Sequence, residues 1–191
     1  MTGTVIPVDA FRDQSVLEGT SVRLEPLTPA VLEDYSRALG DPEVTRLTGA
    51  HASFGPSDVE HWLRTRQDHH DRADWAIIRS QNGAFLGEAV INDLDADNES
   101  AGYRLWLAGP EVFDRGYGSE VTRLVVDYAL DHVGLHRLSL EVFDHNPRAQ
   151  RVYEKCGFTV EGRLRDALLW EGRRHDALVM AVLRTDSRPR D

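Results

Sequence analysis

The sequence predicts an α+β fold, a mixed and mainly antiparallel central sheet with helices on both faces. Three observations predict it. Alternating apolar segments between Asp74 and Leu107 are joined by turn residues, including an Asn82-Gly83 pair, and read as an antiparallel meander. Helical periodicity stands both before and after that meander. Strand patterns return near the C-terminus around a Glu171-Gly172 turn. Together they imply one sheet covered by helices on both sides.

Taken in order, residues 1–15 lack periodicity and are expected to form a mobile arm. Ser21 to Leu27 (SVRLEPL) reads as a short strand. Pro29 opens a helix with Val31, Leu32, Tyr35 and Leu39 on one face, closed by Gly40. A second helix runs from Pro56 to about Arg72, with Val59, Trp62 and Leu63 as its apolar stripe. The meander comprises Asp74–Ser80, Ala84–Asp93 and Ala101–Leu107. Gly116 to His132 then repeats apolar residues at helical spacing (Val121, Leu124, Val125, Tyr128, Ala129). His136–Phe143 alternates as a strand, Pro147–Cys156 is a helix, and two strands follow from Phe158. The expected layout is an arm over 1–15, one domain over 16–184 and a frayed tail over 185–191.

Composition narrows the function classes. The chain has 191 residues and a formal net charge of −10, which argues against nucleic acid or an anionic membrane as partner. No apolar run approaches the roughly 20 residues that span a bilayer, and Met1–Asp9 does not read as a signal peptide. Cys156 is the single cysteine, so no internal disulfide is available and a cytoplasmic, reducing compartment is expected.

Two segments carry chemistry. The first, Phe113–Glu120 (FDRGYGSE), joins a strand end to a helix start. Gly116 and Gly118 allow a tight turn and close approach of a ligand to the main chain. The helix start offers unpaired N–H groups and partial positive charge, a combination suited to a pyrophosphate. Arg115 adds a charged contact. The alternative is an ordinary glycine-rich turn. The second segment, Asn146–Phe158 (NPRAQRVYEKCGF), has an N-cap at Asn146, Pro147 at the first helical position and a left-handed cap at Gly157. Tyr153 lies on its apolar stripe with Ala149, Val152 and Cys156, and packing alone is the competing role for it.

These two segments, in this order and separated by the strand HRLSLEVF, resemble the GCN5-related N-acetyltransferase (GNAT) superfamily. The SVRLEPL start and the GFTVEGRLRDALLWEGRRHDALVMAVLR ending resemble its branch of ribosomal-protein N-terminal acetyltransferases. The resemblance covers roughly Leu17 to Leu183. It implies an acyl-CoA N-acyltransferase fold whose central strands splay into a V-shaped slot, with a bulge in Tyr103–Leu107. It also implies acetyl-CoA as co-substrate and an amine-bearing acceptor, either a peptide N-terminus or a small molecule such as a polyamine or antibiotic. The pyrophosphate would lie on Arg115, Gly116, Tyr117, Gly118 and Ser119. The pantetheine arm would pair with Leu105, Trp106 and Leu107 and contact Asn146. Phe113 stands where the family carries Gln or Arg.

In the chemistry this resemblance implies, Tyr153 protonates the departing thiolate and Glu141 is the base that deprotonates the amine. Glu88, Glu99 and a water chain are the alternatives for the base. No metal is expected: His61, His69 and His70 sit on an otherwise polar helix and read as solvated. Trp62, Trp75, Trp106 and Trp170 divide between core packing and the acceptor pocket. A homodimer through an apolar edge near the Trp170 hairpin is left open, as is a non-catalytic CoA-binding module.

Overall fold

In a computed structural model that describes residues 5–12, 14–52 and 54–189, eight strands and five helices build one mixed sheet with a helical layer on each face. The strands are β1 (Leu17–Glu18), β2 (Val22–Pro26), β3 (Ala73–Arg79), β4 (Phe85–Asp95), β5 (Ser100–Leu107), β6 (Arg137–Phe143), β7 (Thr159–Trp170) and β8 (Arg173–Leu183). The helices are α1 (Leu32–Leu39), α2 (Pro42–Thr48), α3 (Pro56–Thr65), α4 (Tyr117–Asp127) and α5 (Pro147–Lys155). The spatial order is β1-β2-β3-β4-β5-β6-β8-β7. Among the described residues only β5 and β6 pair in parallel.

Strand β3 shows how the sheet separates two cores. Its alternate residues Ala73, Trp75 and Ile77 face the large core beneath α4 and α5. Ala76 and Ile78 face a smaller core with Leu27, Tyr35, Val59 and Leu63 beneath α1 and α3. This two-sided burial explains the apolar run from Trp75 to Ile78.

The parallel β5–β6 ladder is short. It registers Ser100 with Arg137, Ala101 with Leu138 and Gly102 with Ser139, then stops. Residues 103–107 stay paired to β4 on their other side, while residues 140–143 stay paired to β8. The two strands therefore splay from Gly102 onward. Residues 103–107 themselves keep a regular register with β4, contrary to the expected bulge; the irregularity lies at Asn92–Asp95, where Asp93 has φ 53°.

Three other expectations need correction. The segment expected to be a mobile arm packs: Ile6 and Phe11 are buried in the large core, and the Phe11 N–H donates to the His70 carbonyl at 3.1 Å. Residues 1–4 and 13 of that segment lie outside the described residues. The segment expected to fray after 184 is tied down as far as Arg188, which ion-pairs Asp127 (3.1 Å) and Asp131 (2.6 Å); residues 190–191 lie outside the described residues. Helix α3 ends at Thr65, with one 3-10 turn to Asp68, because Gln67–Asp71 has no apolar residue to bury.

Helix α2 was not anticipated. It is seven residues long, too short for a periodic stripe, yet both ends are marked in the sequence. The Asp41 carboxylate accepts from the Glu43 and Val44 N–H groups at 2.8 and 3.0 Å, Pro42 takes the first helical position, and Gly49 closes it at φ 66°.

Candidate active site

The opening between β5 and β6 is filled by the start of α4 and by α5. Gly116 adopts φ 85° just before α4, a left-handed conformation that favours glycine and turns the chain into the helix. Helix α5 is fixed at both ends: the Asn146 side chain accepts from the Ala149 N–H at 3.2 Å, and Gly157 takes φ 97°. The Cys156 thiol donates to the Ser119 carbonyl at 3.5 Å, tying α5 to the α4 start. Cys156 is a buried packing residue.

A cleft of about 320 Å³ results. Its walls include Leu105, Trp106 and Leu107 of β5, Phe113 through Ser119, Val44, Leu47 and Thr48 of α2, and Asn146 and Tyr153 of α5. Nine residues expected from the sequence to hold a cofactor, together with Tyr153, are thus brought to one cavity. At Gly118 a Cβ would stand in ordinary van der Waals contact with Leu105 and Val152 at 3.8 Å, whereas at Gly116 it would meet nothing within 4 Å. Arg115, Arg148, Arg151 and Lys155 also line the cleft. An acidic chain has gathered four cations around a cavity that borders a helix N-terminus, a distribution suited to phosphates.

Phe113 takes part through a different contact from a Gln or Arg side chain. The Arg148 guanidinium stacks 3.8 Å from the Phe113 ring centroid and lies 3.7 Å from Asp114. Arg148, Arg151 and Lys155 are not among the site residues expected from the sequence; their spacing of three and four along α5, which places them on one helix face, is the signal the sequence offers. The α2 residues were missed with the helix itself.

Tyr153 is buried, with its ring edge-on to Tyr103 at 6.2 Å. Burial holds its hydroxyl pKa well above the ordinary tyrosine value, so it stays protonated throughout the neutral range.

The three candidate carboxylates occupy very different places. Glu141 is exposed on β6, paired in register with Val179, and does not line the cleft. Glu99 sits just before β5, at the opposite end of that strand from Leu107, and lies 3.9 Å from Arg184. Glu88 is buried on β4 directly across from Trp106. Its Oε2 accepts from the Trp106 Nε1–H at 2.7 Å, and its Oε1 accepts from the Tyr35 hydroxyl at 3.2 Å. Burial raises its pKa first, and the nearby Asp74 charge adds to that; the two hydrogen bonds oppose it. Trp106 also lines the cleft, so Glu88 stands one side chain behind the cavity wall.

Of the four tryptophans considered for the acceptor pocket, Trp106 lines the cleft and the other three do not. Trp75 is fully buried, Trp62 packs on the smaller core under the Arg66 guanidinium, and Trp170 stacks on His51 at 5.4 Å. Among the described residues, no helix is long and apolar enough to cross a membrane.

Comparison with known proteins places this geometry. The acetyltransferase (GNAT) domain family matches residues 21–159. A spermidine N(1)-acetyltransferase of Vibrio cholerae is 27% identical over 117 residues, 61% of this chain and 67% of its own. YdaF of Bacillus subtilis, named as a candidate ribosomal N-acetyltransferase, is 28% identical over 105 residues, 55% of this chain and 57% of its own. The chain therefore spans between about half and two thirds of these curated relatives. Among solved structures, the spermidine N-acetyltransferase of Vibrio cholerae in complex with CoA and spermine superposes with a TM-score of 0.78 at 21% identity, covering 87% of this chain and 98% of that one. An acetyltransferase (GNAT family) from Bacillus anthracis gives a TM-score of 0.77 at 17% identity, covering 89% and 99%. At these identities the structural likeness concerns the fold.

Proposed function

The chain belongs to the GNAT acetyltransferase family, and from that premise we propose that it transfers an acetyl group from acetyl-CoA to a primary amine. The observation that carries this reading is the cleft where β5 leaves β6, with the α4 N-terminus on one wall and Asn146 and Tyr153 on another. Acetyl-CoA fits that cleft by its chemistry. Its pyrophosphate suits the N–H groups of residues 115–119 with Arg115, Arg148, Arg151 and Lys155 around them. Its pantetheine amides suit the backbone of Leu105–Leu107, which β6 leaves unpaired.

The reaction forms a C–N bond and breaks the thioester C–S bond, without a covalent enzyme intermediate. The amine must shed a proton to attack. Among the carboxylates considered, Glu88 meets that need best, because it neighbours the cleft through Trp106 and its raised pKa makes it a stronger proton acceptor than an exposed carboxylate. Glu141 is the base only if the acceptor reaches across the exposed face of β6. Tyr153 supplies its hydroxyl proton to the leaving sulfur, and burial keeps that proton in place. Main-chain N–H groups on the splayed strand stabilise the oxyanion.

The leading acceptor is the N-terminal amine of a protein or peptide, as the resemblance to the ribosomal-protein branch suggests. A polyamine is the second reading, favoured by the likeness to a spermidine acetyltransferase. An acidic surface suits either cation. Measuring CoA release with a panel of N-terminal peptides, spermidine, spermine and aminoglycosides decides among them. Release with none of the amines, alongside tight CoA binding, would leave a non-catalytic CoA-binding module. A homodimer would use the β7 sheet edge, where Val160, Leu164 and Leu169 are exposed.

A further inference from the structure

On the other side of Asn146 lies a cluster that the transfer chemistry does not use. Asp144 and His145 follow β6 directly, and His175 faces them from β8. We infer that Asp144, His145 and His175 hold one divalent transition-metal ion of the zinc class.

The argument begins with the tautomer of His145. Its Nε2 lies 2.9 Å from the Arg46 carbonyl oxygen. A carbonyl only accepts, so Nε2 carries the hydrogen and Nδ1 of the neutral ring presents a bare lone pair. That Nδ1 is buried and has no hydrogen-bond partner. The nearest charged atom is Asp144 Oδ1 at 3.8 Å, itself an acceptor. The lone pair of this buried nitrogen faces the oxygen of an exposed carboxylate, and a cation between them would satisfy both.

The third group completes the set. His175 Nδ1 is 2.9 Å from the same Asp144 Oδ1, and the two imidazole rings meet edge to face with centroids 4.5 Å apart. One ligand atom from each residue can be chosen so that all lie within 4.8 Å of one another. An ion with metal–ligand bonds of about 2.0–2.2 Å in a tetrahedron sets its ligand atoms roughly 3.4 Å apart. The separations of 2.9 and 3.8 Å from Asp144 Oδ1 to His175 Nδ1 and His145 Nδ1 bracket that value. On binding, the His175 hydrogen moves from Nδ1 to Nε2, and its former contact with Asp144 becomes two bonds to one ion.

The surrounding contacts are those a metal site needs. The Arg46 carbonyl orients His145 through Nε2–H, and the Asp176 N–H donates to Asp144 Oδ2 at 3.2 Å, fixing the carboxylate. Two imidazoles and one carboxylate select zinc, cobalt or nickel over magnesium or calcium. Water would fill the fourth position. The ion would join the β6–α5 connection to β8 and, through Arg46, to α2, so its role is to hold the walls of the cleft and not to react.

The test uses the full chain stripped of metal with a chelator and then dialysed free of it. Titration calorimetry with Zn²⁺ should give one ion per chain, and Co²⁺ should give the visible absorption bands of a four-coordinate site. His175→Ala and Asp144→Asn should each weaken Zn²⁺ binding at least 10-fold, given that even supporting groups are worth roughly 10–100-fold. The His145→Ala,His175→Ala double variant should abolish it. Zn²⁺ binding that survives the double variant would locate the ion elsewhere, at His61, His69 and His70 for example, and overturn the assignment. Absence of stoichiometric Zn²⁺ and Co²⁺ binding by the unsubstituted chain would overturn it without any variant, leaving His145 Nδ1 to be satisfied by a proton. Neither readout depends on acetyl transfer.

Discussion

Glu88 and Trp106 stand opposite each other on β4 and β5, and the indole N–H donates to the carboxylate at 2.7 Å. One partner lines the cleft and the other is buried behind it. The pair links a raised carboxylate pKa to the cavity in which an amine would lose its proton.

Glu88→Gln keeps the shape of this pair and removes the proposed base. The kcat at pH 7 should fall about 10²-fold or more, with CoA affinity within about 2-fold of the unsubstituted chain. The acid limb of the kcat profile should lie above the ordinary carboxylate range in the unsubstituted chain and vanish in the variant. Stability should show the same group. The folded pKa exceeds the unfolded one, so the folded state binds more protons between those values, and stability falls as pH rises through that window. The variant should lack this slope. Glu141→Gln serves as the comparison; a larger kcat loss there than in Glu88→Gln would return the base to β6.

Tyr153→Phe separates chemistry from packing. The ring contact with Tyr103 is kept and the hydroxyl is lost. Turnover should drop about 10²-fold while acetyl-CoA still binds, within the usual range for a general acid. The thermal midpoint should change little. A folded variant retaining more than half its activity removes Tyr153 from the proton transfer.

Gly118→Leu tests the anion cradle. The first atom of the new side chain fits the fold at 3.8 Å from its neighbours, and because Gly118 lines the cleft the bulk of a leucine there should compete with a bound ligand. CoA affinity measured by calorimetry should fall by 10-fold or more, with a native circular dichroism spectrum. Unchanged affinity would mean that the pyrophosphate lies elsewhere.

Phe11→Ala tests whether the N-terminal segment is part of the core. Phe11 is 1% exposed and its ring lies 6.4 Å from that of Tyr128. Truncating a buried aromatic of this kind costs about 3–5 kcal/mol, which urea denaturation would read directly. A loss below about 1 kcal/mol would show that the segment docks without contributing to stability.

These residues also show where a sequence can be read and where it cannot. The ends of α5 were legible because Asn146, Pro147 and Gly157 act on their own backbone within a few residues. The α4 start was legible for the same reason. The burial of Glu88 was not, since it arises from β4–β5 register and from Tyr35, which is 53 positions away. Phe11 lies in a stretch with no period, and only its contact with Tyr128, far along the chain, makes it core. Helix α2 was overlooked for lack of an apolar stripe, although its caps were in plain view.

The short β5–β6 ladder makes the protein's stability a gauge of its surroundings. Where the sheet is unzipped from Gly102 onward, main-chain groups that β6 leaves unpaired are available to a ligand lying in the gap. At 100 times its dissociation constant such a ligand adds about 2.7 kcal/mol to the unfolding free energy. Melting temperature should therefore climb with free CoA, and lifetime against proteolysis should rise with it.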